Sequence, residues 1–198
     1  ATHIDYTIKP SDFSFNVDGG RCEECLGDGF KKVEMQFMAD IFLECDSCKG
    51  KRFKKKILDI QYNDKNIFEV LNLTIEESLS FFNNNNSVIK KLKPLNDVGL
   101  GYLKLGQSSS TLSGGEAQRL KLASYLVDEN KKSLQKTLFI FDEPTSGLHY
   151  SDISNFMKSI QKLISIGNSV IIIEHNIDLI KQADWLIDLG PGGGEGGG

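Results

Sequence analysis

Leu138-Phe139-Ile140-Phe141-Asp142-Glu143-Pro144 is the stretch on which the fold turns. Residues 138–141 are a short apolar run that predicts a strand. Ile153, Phe156, Met157, Ile160 and Ile164 recur at helical spacing after it, and residues 170–173 predict a second buried strand. Strand, helix and strand make a βαβ unit and hence a parallel sheet. Asp142 and Glu143 then sit at the carboxyl end of a parallel strand, where ligands of α/β folds gather. A last short helix, a strand-like run at 185–189 and a glycine-rich segment at 190–198 follow.

Upstream stands Leu112-Ser113-Gly114-Gly115-Glu116-Ala117-Gln118-Arg119. Ser113 and Glu116 match a capping box, and Ala117, Leu120 and Val127 continue at helical spacing. Bare amides at a helix start, with no Cβ atoms in the way, can grip a phosphate. Taken singly these signals are weak, since a carboxylate pair can cap a helix and a lone histidine such as His175 is more often structural. Residues 128–136 read as a charged loop.

The middle of the chain reads as a small mixed subdomain. Residues 57–62 predict a strand ended by Asn63 and Asp64, and Thr74-Ile75-Glu76-Glu77 is a capping box opening a helix. A polar loop at 83–86 leads to a helix over 87–92 that Pro94 should end, with Gly99 and Gly101 in a turn beyond it.

All four cysteines lie in two pairs, Cys22-Glu23-Glu24-Cys25 and Cys45-Asp46-Ser47-Cys48, separated by the nineteen residues 26–44. That spacing suits one structural zinc in a closed thiolate shell. Free thiols or a redox pair fit less well, because Gly27, Gly29 and Gly50 follow the pairs as knuckle-shaping turns would require. Alternation of Val33, Met35 and Phe37 with Glu34 and Gln36, and Ile41 and Leu43 after them, predicts a β-ribbon between the pairs. Cys22 to Gly29 also resembles the C-x-x-C-x-G-x-G repeat of DnaJ-type chaperones, with a partial second copy at Cys45 to Gly50, but nothing else in the chain looks chaperone-like.

A net charge of -4 excludes a protein that coats nucleic acid by overall attraction. A local patch remains: Lys49, Lys51, Arg52, Lys54, Lys55 and Lys56 give six positive charges in eight residues, enough to meet several phosphates. Met35, Phe37 and Met38 could contact bases or sugars beside it. The competing reading is a solvated charged face with the apolar side chains packed on the metal core. No apolar run reaches the length of a membrane span, so no membrane partner is expected and the expected location is the cytoplasm.

In their order, Leu112–Arg119, Leu138–Pro144, Ser146-Gly147-Leu148-His149 and His175 resemble the signature, Walker B strand, D-loop and switch histidine of ABC ATPases. The resemblance implies ATP and Mg²⁺ as cofactors. Asp142 would hold Mg²⁺ directly or through water, and Glu143 would be the general base or water-positioning group. His175 would contact the γ-phosphate, and Ser113, Gly114, Gly115, Glu116, Gln118 and Ser146 would bind nucleotide. The signature of one ATPase half closes on ATP held by the Walker motifs of the other, so this chain would contribute to two sites. No G-x-x-x-x-G-K-[ST] loop occurs in the sequence, so an isolated chain should not hydrolyse ATP.

Within that family the zinc module ahead of the signature resembles the second ATPase half of UvrA, as do Phe13-Ser14-Phe15-Asn16-Val17, Gly106-Gln107 and Asp188-Leu189-Gly190-Pro191. The resemblance runs from Phe13 to the end and implies the carboxy-terminal part of that half. The expected fold is an α/β ABC-type P-loop NTPase core with a parallel sheet and the Walker A lobe missing, plus a helical signature subdomain carrying a small zinc-bound β-ribbon. The expected segments are a leader at 1–12, the zinc module at 13–56, the signature subdomain at 57–127 and the Walker B, D-loop and switch-histidine part at 128–198. UvrA-likeness further implies a cytoplasmic homodimer of bacterial nucleotide excision repair that binds DNA, senses distortion and loads a UvrB-like partner. A UvrA-like paralogue from a drug-resistance operon would share these motifs. A transporter ATPase is disfavoured by the zinc module, and a zinc ribbon without ATPase work by the Walker B strand and the histidine.

Overall fold

The computed structural model describes residues 8–35, 40–127, 136–190 and Gly192. Phe37, Met38 and most of the charged loop and glycine-rich end lie outside the described residues. The chain divides into two compact units, Ala1–Leu73 with Lys104–Gly106, and Thr74–Leu103 with Gln107–Gly198.

In the first unit, β1 (Phe30–Val33) pairs antiparallel with β2 (Ile41–Glu44), in register from Phe30 opposite Glu44 to Val33 opposite Ile41. Arg21 and Phe53 close the base of this ribbon through an antiparallel bridge. α1 (Lys55–Leu58) follows, then a hairpin of β3 (Gln61–Tyr62) and β4 (Lys65–Asn66), then α2 (Ile67–Asn72). The strand expected over 57–62 is therefore replaced by a helical turn, and only its last two residues are extended. Burial is the reason: Ile57 is fully buried and packs the turn inward, where Phe53 is buried too. Asn63 and Asp64 do make the turn, with φ of 47° and 61°, the left-handed pair that a tight hairpin needs.

The second unit begins with α3 (Ile75–Phe81), opened by reciprocal bonds between Thr74 and Glu77. α4 (Asn86–Asp97) is capped by Asn85 and runs through Pro94 instead of ending there. Its packing against α3 and against α5 (Gly114–Val127), with Leu92 buried, outweighs the one N–H that proline lacks. β5 (Leu138–Asp142) pairs in parallel with β6 (Ser169–Ile173), and α6 (Tyr150–Ser165) makes the crossover. The predicted stripe of α6 is buried at Ile153, Phe156, Met157 and Ile160, with Leu163 fully buried and Ile164 half-buried.

Side chains alternate across a sheet, so one face of β5 and β6 packs inward, with Phe141 edge-on to Phe156 at 6.1 Å. The other face carries Leu138, Ile140, Ile171 and Ile173, all exposed. β6 is thus half-buried on one face and exposed on the other, where the sequence pattern predicted a buried strand. α7 (Ile177–Ile180) follows β6, capped by Asn176. Residues 185–189 form no strand, and Trp185, Leu186, Ile187 and Leu189 are exposed. Among the described residues no helix is long and apolar enough to cross a membrane.

Candidate functional site

In the second unit the site is built at the carboxyl ends of β5 and β6. The last ladder bond runs from Glu143 N–H to Ile173 O at 2.9 Å, and past it the chain turns at Pro144, Thr145, Ser146 and Gly147. Glu143 sits at φ 45°, a left-handed value that costs a non-glycine residue and marks a constrained position. Its carboxylate is exposed and faces the His175 imidazole, Nδ1 lying 3.9 Å from Oε1. Two titratable side chains thus meet over the ends of adjacent strands, a suitable arrangement for handling a water and its proton.

The amino end of α5 approaches the same turn. Ser113 N–H donates to the Glu116 carboxylate at 2.7 Å and Glu116 N–H donates back to Ser113 Oγ at 3.3 Å, completing the expected capping box. The hydroxyl of Tyr102, which no sequence motif singles out, also binds Glu116. That bond first, and then the Ser113 N–H, holds the Glu116 carboxyl below its ordinary value. The two glycines differ in role. A Cβ on Gly114 would meet nothing within 4 Å, whereas one on Gly115 would lie 3.2 Å from Arg119 Nη1 and 3.5 Å from the carbonyls of Glu143 and Ser146. Gly114 stands beside open space, and Gly115 lets the helix seat against the turn.

Gln118 and Arg119 tie α5 to that turn. The Gln118 amide bonds both backbone groups of Asp142, and the fully buried Arg119 donates from Nη1 to the carbonyls of Pro144 at 2.6 Å and Ser146 at 3.2 Å. Glu174, which belongs to none of the sequence motifs, accepts hydrogen bonds from Thr145, His175 and Asn176. Its only sequence signal is its place immediately before His175.

In the first unit the four cysteines converge. Their Sγ atoms all lie within 4.8 Å of one another and all four residues are buried. Cys22 and Cys45 approach to 4.0 Å, and Cys25 and Cys48 to 3.6 Å. A disulfide would need about 2.05 Å. Tetrahedral zinc with bonds of about 2.3 Å would hold sulfurs about 3.8 Å apart, so the spacing fits that ion. The knuckles match in form: Leu26 and Gly27 after the first pair, and Lys49 and Gly50 after the second, all have φ between 49° and 94°. At Gly27 a Cβ would lie 2.4 Å from Phe15 O, so glycine is required for space as well.

The thiols are electrostatically unlike. Burial raises Cys22, but the N–H groups of Cys25 and Glu24 and the neighbouring thiols outweigh it and bring it down to about 7. Cys48 is pushed up to about 12, by burial first and by the thiols of Cys25 and Cys45. Four thiolates crowded together repel one another, and a bound dication is what would let all of them ionise.

The members of the basic run differ in their partners. Arg52 stacks on Phe15 at 3.8 Å and donates to the carbonyls of Gly27 at 2.6 Å and Gly106 at 2.7 Å. Lys54 pairs with Glu23 at 2.5 Å and Lys49 with Asp46 at 3.7 Å. Lys51, Lys55 and Lys56 are exposed and make no ion pair among the described residues. On the ribbon Phe30, Val33, Ile41, Phe42 and Leu43 are exposed, so these apolar side chains do not pack on the cysteine core.

A parallel β-α-β unit, an acidic strand end and a glycine-led helix are the arrangement expected of part of an ABC-type ATPase core. A family model described as ABC transporter matches residues 39–146. The chain is 56% identical over 190 residues to UvrABC system protein A of Clostridium perfringens, covering 96% of this chain and 20% of that protein. It is 54% identical over 190 residues to UvrABC system protein A of Haemophilus influenzae, with the same coverages of 96% and 20%. The crystal structure of UvrA2 from Deinococcus radiodurans superposes with a TM-score of 0.83 at 41% identity, over 97% of this chain and 23% of that one. The chain belongs to the UvrA family of ABC ATPases. It spans about a fifth of the length of the curated relatives it matches.

Proposed function

We propose that this chain is the carboxy-terminal part of the second ATPase half of a UvrA-type protein of nucleotide excision repair, and that it supplies parts of two ATP sites. The observation that carries the reading is the meeting of Glu143 and His175 at 3.9 Å over the carboxyl ends of parallel strands. Glu143 takes or orients the proton of an attacking water, and His175 orients Glu143 and donates toward the phosphate. Asp142 would hold Mg²⁺, which neutralises phosphate charge when bound. Ser113, Gly114 and Gly115 offer backbone amides and a hydroxyl to a nucleotide held by another ATPase half, and Ser146 belongs to the same contact region.

The four cysteines hold one structural zinc in this reading, supported by their mutual spacing and burial. Lys51, Lys55 and Lys56, with the exposed apolar ribbon, serve DNA, and the intact protein works as a homodimer that loads a UvrB-like partner. The test is ATP hydrolysis by the full-length protein and its Glu143→Gln variant. Turnover should fall by about a hundredfold or more in the variant, while the 198-residue chain alone should show none, because its sequence has no phosphate-binding loop. Unchanged turnover in the variant would remove Glu143 from the role.

A further inference from the structure

We propose that Glu174 is a positioning residue of this site: its carboxylate clamps the turn after Glu143 to the backbone that carries His175, and so sets the separation of those two side chains. The inference rests on the ATPase reading above.

Glu174 is the residue between the last ladder position of β6 and His175. Oε1 accepts from Thr145 N–H at 2.9 Å and from the Thr145 hydroxyl. Oε2 accepts from the N–H groups of His175 at 3.0 Å and Asn176 at 3.2 Å. One carboxylate thus has four donors, three of them backbone N–H groups fixed in direction, which matches the capacity of an acceptor-only group. Thr145 is buried, so its end of the clamp is screened from water.

The position gives the clamp its consequence. Glu143 N–H to Ile173 O is the last backbone bond joining the two strands. Glu174 is the next tie across the gap, one residue from His175 and two residues from Glu143 through Thr145. Glu143 holds a left-handed backbone at φ 45°, and such a conformation persists only where its surroundings over-determine it. The surroundings are the Ile173 bond before it, the bond from Ser146 N–H to Glu143 O at 3.1 Å, and the Thr145 anchor on Glu174. Loosening that anchor lets the Glu143 turn and the His175 backbone move apart, which matters most at the moment of reaction.

The chemistry separates charge from shape. Glutamine has the same size but carries one NH₂ group, which would face N–H donors on either side of the clamp. Aspartate keeps the charge and every acceptor site with one methylene less reach. In the full-length protein, Glu174→Gln should lower kcat for ATP hydrolysis by about tenfold to a hundredfold with KM for ATP within about twofold, and Glu174→Asp should recover part of the loss. Amide hydrogen exchange of peptides spanning 142–146 and 173–177 should quicken in Glu174→Gln. Should that variant fail to fold, Glu174→Asp carries the test through the same split of kcat from KM. A kcat within twofold of wild type in the folded glutamine variant, or in the aspartate variant if only that one folds, overturns the clamp. The Glu143→Gln control keeps the two readings apart: if it abolishes turnover while Glu174→Gln does not, only the clamp fails, and if it leaves turnover intact, Glu143 loses its assigned role and the clamp falls with it.

Discussion

The side-chain amide of Gln118 pairs with both backbone groups of Asp142, Nε2 donating to the carbonyl at 3.0 Å and Oε1 accepting from the N–H at 3.1 Å. A side chain of α5 thereby bonds the edge of β5 that faces away from β6. The helix that opens with Ser113 and the strand that ends with Asp142 are held as one piece.

Replacing Gln118 by leucine removes two hydrogen bonds at a half-buried position and should destabilise the chain by about 1–2 kcal/mol. A glutamate in its place would set a carboxylate against the Asp142 carbonyl, so Gln118→Glu should be worse than Gln118→Leu at neutral pH. Urea denaturation of both variants checks the order.

Arg119 is fully buried, and its guanidinium holds the carbonyls of Pro144 and Ser146. Arg119→Met keeps the volume but leaves those two acceptors without their donor. The expected loss is about 2–3 kcal/mol, limited because the cost of burying a cation disappears with it. Thermal unfolding of the variant is the measurement.

Metal analysis of the purified chain should find close to one zinc per chain, and Cys45→Ser should reduce that content. Chelation should expose the first unit to proteolysis at sites within 20–54, because the four buried sulfurs form its local core. A chain without zinc that resists protease would contradict the assignment.

Burial raises the Glu174 carboxyl, but the Thr145 hydroxyl and the N–H groups of Thr145, Asn176 and His175 outweigh it and hold it below its ordinary value of 4.5. The group therefore contributes stability that is fully present above about 4.5 and is lost as pH falls through the depressed pKa. Glu174→Gln should flatten that part of the acid limb of a stability-against-pH curve. An acid limb identical to wild type would show that the carboxylate gains nothing from its four donors.

Lys55 and Lys56 are exposed, whereas Arg52 and Lys54 already have partners. Neutralising Lys55 and Lys56 in the full-length protein should therefore weaken DNA binding and reduce the slope of log K against log salt by about 0.9 for each phosphate that is no longer neutralised. Neutralising Lys54 should matter less. Titrations at several salt concentrations separate the two.

The sequence alone determined what depends on near neighbours along the chain. Capping boxes at Thr74 and Ser113, the turn at Asn63 and Asp64, the βαβ order around Asp142 and the spacing of the cysteine pairs are local signals, and each is present in the fold. The tertiary structure decided where local preference met packing: residue 57 turned inward as helix, Pro94 stayed inside α4, and one face of β5 and β6 remained exposed. It also decided the partners of polar side chains. Gln118 and Asp142, Arg52 and Phe15, and Glu174 and Thr145 are each separated by more than twenty residues. Hydrogen bonds and ring contacts act only at contact distance, and no pattern along the chain specifies which distant groups folding will bring that close.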